Sequence, residues 1–260
     1  MIFLSKKGKD PYINMLAKGC NAIPVSSEDF DYDSSSEPIV LRGILQTKLM
    51  NRCLRDRRDF YYMDTGYFGN ENSSSKIWHR IVKNGLQHNT IIDRPDDRFK
   101  KLNKRIQHWT KSGSKVLIIP PGPKPCKHYG IDINTWTNQV VTAIKQHTDR
   151  PFEIRTKPKY RNDRVSSDTL QSALLNDVYA VVAYNSIAAV ESIFNGIPVF
   201  TTGVDNAAIP VSSQDLTQIE SPYYAERDKL YKWACCLAYG QYHVSELRNG
   251  TAIGMAYENG

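Results

Sequence analysis

The chain has 260 residues, of which 40% are hydrophobic and 23% are charged, and it carries a formal net charge of +7. This size and composition predict a globular protein with one large or two smaller cores, and no apolar run approaches the roughly 18 residues that a membrane-spanning helix needs. The five cysteines form no C-x-x-C pair, and the opening residues MIFLSKKGKDPYI lack the apolar stretch of a secretory signal. We therefore expect neither a zinc site nor a disulfide framework, and a reducing cytoplasm as the compartment.

The first half of the chain is predicted to span residues 1–112. Apolar runs predict a strand within 38–45 that leads into a helix, and further strands at 59–63 and 77–82. The apolar residues of 96–110 recur with helical spacing, which predicts one helix over that whole stretch.

Strand and helix alternate in the second half, which predicts a Rossmann-like parallel sheet over 113–205. The strand KVLII runs into PPGPKP, a proline-rich segment expected to be neither helix nor central strand. The other expected elements are a helix at 132–148, a strand at 152–155, a helix that begins at Ser167 or Asp168, a helix at 226–239, and a short helix at 245–249 before a loose tail.

Residues 178–205 form the clearest unit of this half. They read as a buried strand, a polar turn at Asn185 and Ser186, a short helix at 187–195, and a second strand at 197–201. Ser186 is expected to cap the helix, where unpaired N–H groups and the helix dipole favour an anion. An ordinary βαβ unit with no ligand at this turn is the alternative interpretation.

Three strand ends of the second half carry residues suited to phosphate. The first ends in a loop around Gly122, the second in Arg155 and Lys157, and the third in Asn185 and Ser186. Because ligands of such sheets bind outside the carboxyl ends of the strands, cations and backbone N–H groups would meet there. The sequence therefore predicts a diphosphate site, although each cation could equally be an exposed surface residue.

Two segments carry a resemblance to a known family. NSIAAVESIFNGIPVF resembles the donor-binding segment of GT-B glycosyltransferases, especially the branch related to capsule-polysaccharide transferases, and EIRTKPKY is similar to the R-x-K/H-P segment of the same branch. The resemblance implies that Arg155 and Lys157 bind the diphosphate of a nucleotide-sugar donor, with a UDP-sugar favoured, and that Ser186 and Glu191 line the donor. Glu191 could instead be a helix-surface residue.

The resemblance also implies an architecture and a domain order. The fold would be α/β and GT-B-like, with two Rossmann-like halves whose parallel sheets face a cleft and a C-terminal helix that crosses back. We accordingly expect an acceptor-side half at 1–112, a donor-binding half at 113–225, and C-terminal helices at 226–260 that pack on the first half. The chain is shorter than typical members, which implies a reduced acceptor domain.

Sugar transfer needs positive charge on the leaving diphosphate and, when it inverts, a base for the acceptor hydroxyl. Asp64 is the first candidate base because it follows a strand and precedes Gly66, although it could simply cap that turn. Asp93 is the second candidate. No metal or other cofactor is required, since the cations can carry the leaving-group charge.

Residues Tyr67, Arg80 and Arg98 are candidates for acceptor binding. Tyr67 could stack on a sugar ring or a base together with its aromatic neighbours Tyr62 and Phe68. A cation would face the phosphates of a charged acceptor. His79 could face the same site or be packed in the core.

The positive charge is concentrated in three clusters, and these shape the expected acceptor. They are Arg52, Arg55, Arg57 and Arg58; Arg94, Arg98, Lys100, Lys101, Lys104 and Arg105; and Arg155, Lys157, Lys159, Arg161 and Arg164. Such clusters attract polyanions, although each could be a solvated surface without a partner. Because short, basic members look phage-encoded, a hydroxylated base in DNA is the leading acceptor, modified in the host cytoplasm. The alternatives are a surface polysaccharide acceptor, or a non-catalytic nucleic-acid-binding protein.

Overall fold

The structure is a computed structural model that describes residues 1–44, 46–70, 76–156 and 169–258. The chain divides into two units. The first contains Met1–His88, Asp97–Leu102 and Cys235–Gly260, and the second contains Asn89–Asp96 and Asn103–Ala234. Within the described ranges, no helix combines the length and the apolar character needed to cross a membrane.

The secondary structure consists of short strands and helices. The strands are β1 (Ile2–Ser5), β2 (Val25–Ser26), β3 (Ile39–Arg42), β4 (Phe60–Thr65), β5 (Trp78–Lys83), β6 (Lys115–Ile119), β7 (Phe152–Ile154), β8 (Val178–Ala183), β9 (Val199–Thr201) and β10 (Gln241–His243). The helices are α1 (Pro11–Gly19), α2 (Thr47–Asp56), α3 (Asp97–Lys101), α4 (Pro123–Tyr129), α5 (Ile133–Lys145), α6 (Leu170–Leu174), α7 (Ala188–Phe194), α8 (Arg227–Tyr239), α9 (Val244–Arg248) and α10 (Thr251–Glu258).

The sheet of the first unit has the strand order β10-β5-β4-β3-β1-β2. Strands β2, β1, β3 and β4 are parallel, whereas at one edge β5 pairs antiparallel with β4 and β10 pairs antiparallel with β5. The registers pair Leu4 with Leu41 and Leu41 with Tyr62. The carboxyl ends of β1, β3 and β4 therefore meet at one edge of this sheet, where Ser5, Arg42 and Asp64 lie.

The C-terminal residues complete the core of the first unit. The expected loose tail is instead the helix α10, whose Ala252, Ile253 and Ala256 are buried in the same cluster as residues of β1, α1 and β3. This approach requires glycine at position 250, which has φ +78° and where a Cβ would lie 2.5 Å from the carbonyl oxygen of Gly19. Burial of apolar side chains thus orders this segment.

The sheet of the second unit has the order β7-β6-β8-β9, and all its strands are parallel. Strand β8 is buried at every position, as its continuous apolar sequence predicts for a sheet covered on both faces. Asp132 accepts a hydrogen bond from the Thr135 N–H at 2.8 Å and begins α5, close to the predicted helix. The predicted α/β class with two Rossmann-like sheets is confirmed.

Two predicted elements besides the tail are wrong. The helix expected over 96–110 ends at Lys101, because Asn103 adopts a left-handed φ of 48° and the chain then pairs along 194–196, with the Gln107 N–H donating to the carbonyl of Phe194. The proline-rich segment after β6, which was expected to be neither helix nor central strand, begins the helix α4. Gly122 caps α4 and Pro123 occupies its first position, where a missing N–H costs nothing.

Candidate functional site

The four parallel strands of the second sheet end at one edge, and each end carries a polar or flexible residue. Gly122 follows β6 as the N-cap of α4, and Arg155 directly follows β7. Asn185 and Ser186 follow β8, and Asp205 lies on the loop after β9. Lys157 lies outside the described residues. The parallel topology therefore brings most of the predicted donor residues to a single edge.

The turn after β8 has close to the predicted geometry. The Ser186 hydroxyl accepts a hydrogen bond from the Ala188 N–H at 3.2 Å, at the start of α7, although the residue in the N-cap position of that helix is Ile187. Asn185 is buried, and Glu191 is half-buried in the first turn of α7. Arg155 is half-buried, and its own N–H donates to the carbonyl of Ile118 at 2.9 Å. These contacts fix the backbone on either side of the strand ends.

The same edge carries an aromatic and acidic cluster that the sequence did not reveal. The Tyr129 hydroxyl donates to the Asp205 carboxylate at 3.2 Å, and the rings of Tyr129 and Tyr184 lie 5.5 Å apart in an edge-to-face arrangement. Burial raises the pKa of Tyr129, and the charge of Asp205 raises it further. Burial lowers the pKa of the adjacent His128. Tyr129 and Asp205 are 76 residues apart in sequence. The available sequence signals were weak: Tyr129 is an aromatic residue at a helix end, and Asp205 is an acid that follows a strand.

The loop that carries Asp205 is packed tightly against the end of β8. The Asn206 side chain donates to the carbonyl of Tyr184 at 3.1 Å and accepts from the Ala208 N–H at 2.9 Å. A Cβ at Gly203 would lie 2.6 Å from that same carbonyl oxygen. The position of Asp205 is therefore set by buried contacts on its neighbours.

In the first unit, Asp64 lies at the carboxyl edge of the sheet and is held by several donors. Its carboxylate accepts from the Tyr62 hydroxyl at 2.6 Å and from the Thr65 N–H at 2.7 Å, and Arg80 Nη2 lies 3.7 Å away. Burial alone would raise the pKa of Asp64, but the charge of Arg80 and these hydrogen bonds hold that pKa below its usual value. Asp64 is therefore ionised at neutral pH.

Arg80 lies behind Asp64 rather than on the surface. Its guanidinium is buried, its Nε donates to the carbonyl of Leu86 at 2.9 Å, and its Nη1 donates to the carbonyl of Thr65. These contacts tie Arg80 to the segment that carries the Asp64 carboxylate.

A second acid and arginine at this edge were not predicted from the sequence. Arg42, the last residue of β3, donates to the Asp10 carboxylate at 3.1 Å and lies over the Tyr12 ring at 4.6 Å. Asp10 also caps α1 by accepting from two backbone N–H groups. The charge of Arg42 contributes to the lowered pKa of Asp64. Asp10 and Arg42 are 32 residues apart, so their pairing is not visible in the sequence. Recognising Asp10 as the start of a helix would have been the available signal.

His79 is fully buried beside this group. Its ring lies 4.1 Å from the Tyr12 ring, and its Nε2 lies 3.2 Å from the carbonyl oxygen of Lys76. Burial, reinforced by the charge of Arg42, lowers the pKa of His79 to about 4. Within the described residues, His79 Nδ1 and Arg42 Nε are buried without a hydrogen-bond partner, so this corner of the unit contains polar atoms that the fold does not satisfy.

The other predicted acceptor residues are engaged in internal contacts. The Tyr67 ring is 1% exposed, and its hydroxyl lies 2.9 Å from His88 Nδ1. Arg98 binds both carboxylate oxygens of Glu246, at 2.6 and 3.1 Å, and donates to the carbonyl of Ala238. Asp93 is exposed and belongs to the second unit, whereas Asp64 belongs to the first.

The first basic cluster is also engaged within its own unit. Arg52 donates to Asp33 at 2.6 Å and lies over the Tyr32 ring at 3.9 Å. Arg58 donates to the carbonyls of Glu37 and Tyr32. These arginines tie the segment before β3 to α2. Among the described residues, no three His, Cys, Asp or Glu side chains group as metal ligands.

Comparison with known proteins gives a likeness of fold. No protein-family model matches the chain, and no curated protein matches its sequence. The structure is similar to KpsC of Thermosulfurimonas dismutans, described as a beta Kdo 2,4 transferase, with a TM-score of 0.51 and 12% identity over 91% of this chain and 90% of that one. A beta Kdo 2,7 transferase of the same organism gives a TM-score of 0.46 and 11% identity over 100% of both chains. The first likeness supports a GT-B-like α/β fold for this chain.

Proposed function

We propose that the chain is a glycosyltransferase whose second unit binds a nucleotide-sugar donor, with a UDP-sugar favoured. The observation that carries the proposal is the single edge at which the ends of four parallel strands bring together Gly122, Arg155, Ser186 and Asp205. A cation and backbone N–H groups at such an edge suit a diphosphate leaving group. The fold shared with a Kdo transferase supports the same reaction class.

The acceptor in this proposal is a saccharide hydroxyl bound by the first unit. The edge of the first sheet offers carboxylates at Asp10 and Asp64 and a guanidinium at Arg42. Sugar hydroxyls can donate to the carboxylates and accept from the guanidinium. The phosphates of a DNA backbone would instead be repelled by the two carboxylates. The name of the similar structure, a Kdo transferase, supports a saccharide over a DNA base.

The proposed chemistry assigns a role to each group. The ionised Asp64 takes the proton of the acceptor hydroxyl while the oxygen of that hydroxyl bonds to the anomeric carbon of the donor sugar. The bond from that carbon to the donor phosphate breaks, and the nucleotide leaves with the electron pair. Arg155 and Lys157 stabilise the charge that develops on the leaving group.

A nucleotide-binding screen tests this proposal. Thermal unfolding is measured with UDP, GDP, CMP and dTDP at fixed salt for the wild type, Arg155→Ala and the matched control Lys48→Ala, an exposed cation of the first unit. One nucleotide should raise the melting temperature of the wild type and of Lys48→Ala by mass action, and raise that of Arg155→Ala much less. If no nucleotide shifts any of them, the donor site does not exist and a non-catalytic role is favoured.

A further inference from the structure

We propose that Tyr62 is a positioning residue for the proton transfer, because its hydroxyl holds the Asp64 carboxylate in the orientation in which that carboxylate takes the proton of the acceptor. This inference rests on the proposed function, to which it adds a residue that acts on the base without touching a substrate. It replaces the role that the sequence suggested for Tyr62, a ring that stacks with Tyr67 on a sugar or a base.

The position of Tyr62 in the first sheet excludes a stacking role. Tyr62 and Asp64 are two residues apart in β4, so their side chains lie on the same face of the strand. Tyr62 is fully buried, whereas the Asp64 side chain is 34% exposed. A ligand can therefore reach the carboxylate, but not the ring.

The contact between these two side chains is a strong one. The Tyr62 hydroxyl donates to Asp64 Oδ2 at 2.6 Å, a length typical of a hydrogen bond to a charged oxygen. The Tyr62 ring is held in turn, because the Arg80 guanidinium lies 5.6 Å from its centre and close packing leaves a fully buried ring few other rotamers. The hydroxyl therefore sets the orientation of the carboxylate, and a base oriented in advance loses little freedom in the transition state.

The two oxygens of Asp64 differ in basicity. Oδ2 accepts from Tyr62 and lies 3.7 Å from Arg80 Nη2, whereas Oδ1 accepts from the Thr65 N–H at 2.7 Å. The hydroxyl proton and the nearby positive charge lower the proton affinity of Oδ2, so Oδ1 takes the proton. The O–H bond of the acceptor breaks, its electron pair forms the bond to the anomeric carbon, and Tyr62 keeps its own proton.

Tyr62→Phe tests the inference, because it removes the hydroxyl and keeps the ring against Arg80. Carbon-13 NMR titration should show the pKa of Asp64 higher by about one unit, the value of one lost hydrogen bond to a charged group. Nucleotide release from UDP-, GDP-, CMP- and dTDP-sugars, with water as the acceptor, should show the same upward shift of its low-pH limb. The kcat above that limb should fall by about tenfold, because the carboxylate is no longer held in line with the acceptor.

The other charged groups around Asp64 are unchanged in this variant. Arg80 on β5 and Arg42 at the end of β3 lower the pKa of Asp64. His79 on β5 interacts electrostatically with Asp64, Asp10 and Arg42. Because all of these groups remain, a shift in Tyr62→Phe is due to the lost hydroxyl.

Tyr61→Phe is the matched control. Tyr61 precedes Tyr62 in β4 and is equally buried, but it belongs to the apolar cluster on the other face of the sheet, and its hydroxyl has no hydrogen-bond partner within the described residues. Tyr61→Phe should leave the pKa of Asp64, the low-pH limb and kcat unchanged. The double variant Tyr62→Phe/Asp64→Asn should be less than about twofold slower than Asp64→Asn, because a residue that acts through the carboxylate then has nothing to orient.

The outcomes distinguish this inference from the proposed function. If the wild type releases a nucleotide and Tyr62→Phe keeps either its low-pH limb or its kcat, the inference is overturned while the transferase stands. It is also overturned if Tyr61→Phe has the same effect, or if removal of the Tyr62 hydroxyl slows Asp64→Asn by the full factor of about ten, since either result means that Tyr62 only supports the fold. If the wild type releases no nucleotide from any of these donors, the proposed function fails and this inference fails with it.

Discussion

At the scale of single residues, the candidate site residues differ in whether the sequence alone could identify them. Asp64 could be predicted because an acid that follows a buried strand and precedes a glycine is visible in the sequence. The Asp10–Arg42 and Tyr129–Asp205 pairs could not, because each joins residues that only the sheet topology brings together. The same limit applies to Arg80, whose burial behind Asp64 follows from the antiparallel register that sets Asp64 opposite Arg80.

Arg80 should act on Asp64 through its charge and not by contact with the acceptor. Arg80→Gln removes the charge that lowers the pKa of Asp64, so that pKa should rise. Carbon-13 NMR titration of the Asp64 carboxyl measures this directly, and Arg98→Gln is the control because Arg98 pairs with Glu246. The low-pH limb of any transfer activity should move upward with it. An unchanged Asp64 titration in Arg80→Gln would contradict this role.

His79 should make the protein less stable at mildly acidic pH. Its pKa is about 4 in the folded protein and near 6.5 when unfolded, so below pH 6.5 protons bind the unfolded chain first. The contribution of His79 to the free energy of unfolding should therefore be fully present above pH 6.5. It should be lost as the pH drops to 4, which lowers that free energy by about 3 kcal/mol once the pH is below 4. Urea unfolding between pH 7.5 and 4.5 checks this. His79→Gln should flatten the slope, whereas the exposed His147→Gln should not; equal slopes in all three would exclude His79 as the cause.

At the scale of elements, strands were predictable where apolar runs were continuous, as in β6 and β8. Helices were less predictable from the sequence than strands. The apolar residues of 96–110 recur with helical spacing, but after Lys101 they lie in a segment without regular secondary structure whose backbone bonds to 194–196, so tertiary contacts override periodicity. The helix α10 was missed because its apolar residues gain burial only in the tertiary fold, in a cluster that also contains residues of α1, β1, β3, β4, β5, β10 and α9.

Two glycines of the C-terminal region should respond oppositely to alanine. Gly250→Ala forces a side chain into a left-handed backbone and against Gly19, and should lower the free energy of unfolding by about 2 kcal/mol or more. Gly254 lies in α10 with open space around its Cβ position, so Gly254→Ala should raise that free energy by about 0.5–1 kcal/mol. Denaturant melts of both variants measure the effect. A neutral Gly250→Ala would mean that α10 does not pack as described.

At the scale of the whole molecule, the net charge of +7 is a poor guide to partners. Composition alone suggested nucleic acid, but folding engages part of that charge internally: Arg52 and Arg58 in the first unit bind an acid and backbone carbonyls, and Arg98 binds Glu246. Most of the third cluster lies in the segment 157–168, outside the described residues. The sequence shows how many charges there are, but not which of them the fold pairs.

Duplex DNA should accordingly bind only weakly. Fluorescence polarisation with a plain duplex and with one that contains 5-hydroxymethylcytosine should give, at about 0.15 M salt, dissociation constants no tighter than about 1 μM and equal for both duplexes. Tight binding that favours the modified duplex would restore DNA as the acceptor.

The most direct test of the central claim is release of nucleotide from UDP-, GDP-, CMP- and dTDP-sugars, with and without saccharide, by the wild type and Asp64→Asn. The account predicts that the wild type releases one nucleotide, faster with a saccharide acceptor, and that Asp64→Asn is slower by about 100-fold or more because the proton acceptor is lost. If the wild type releases no nucleotide from any of these donors, or if Asp64→Asn matches its rate, the chain is not the transferase described here.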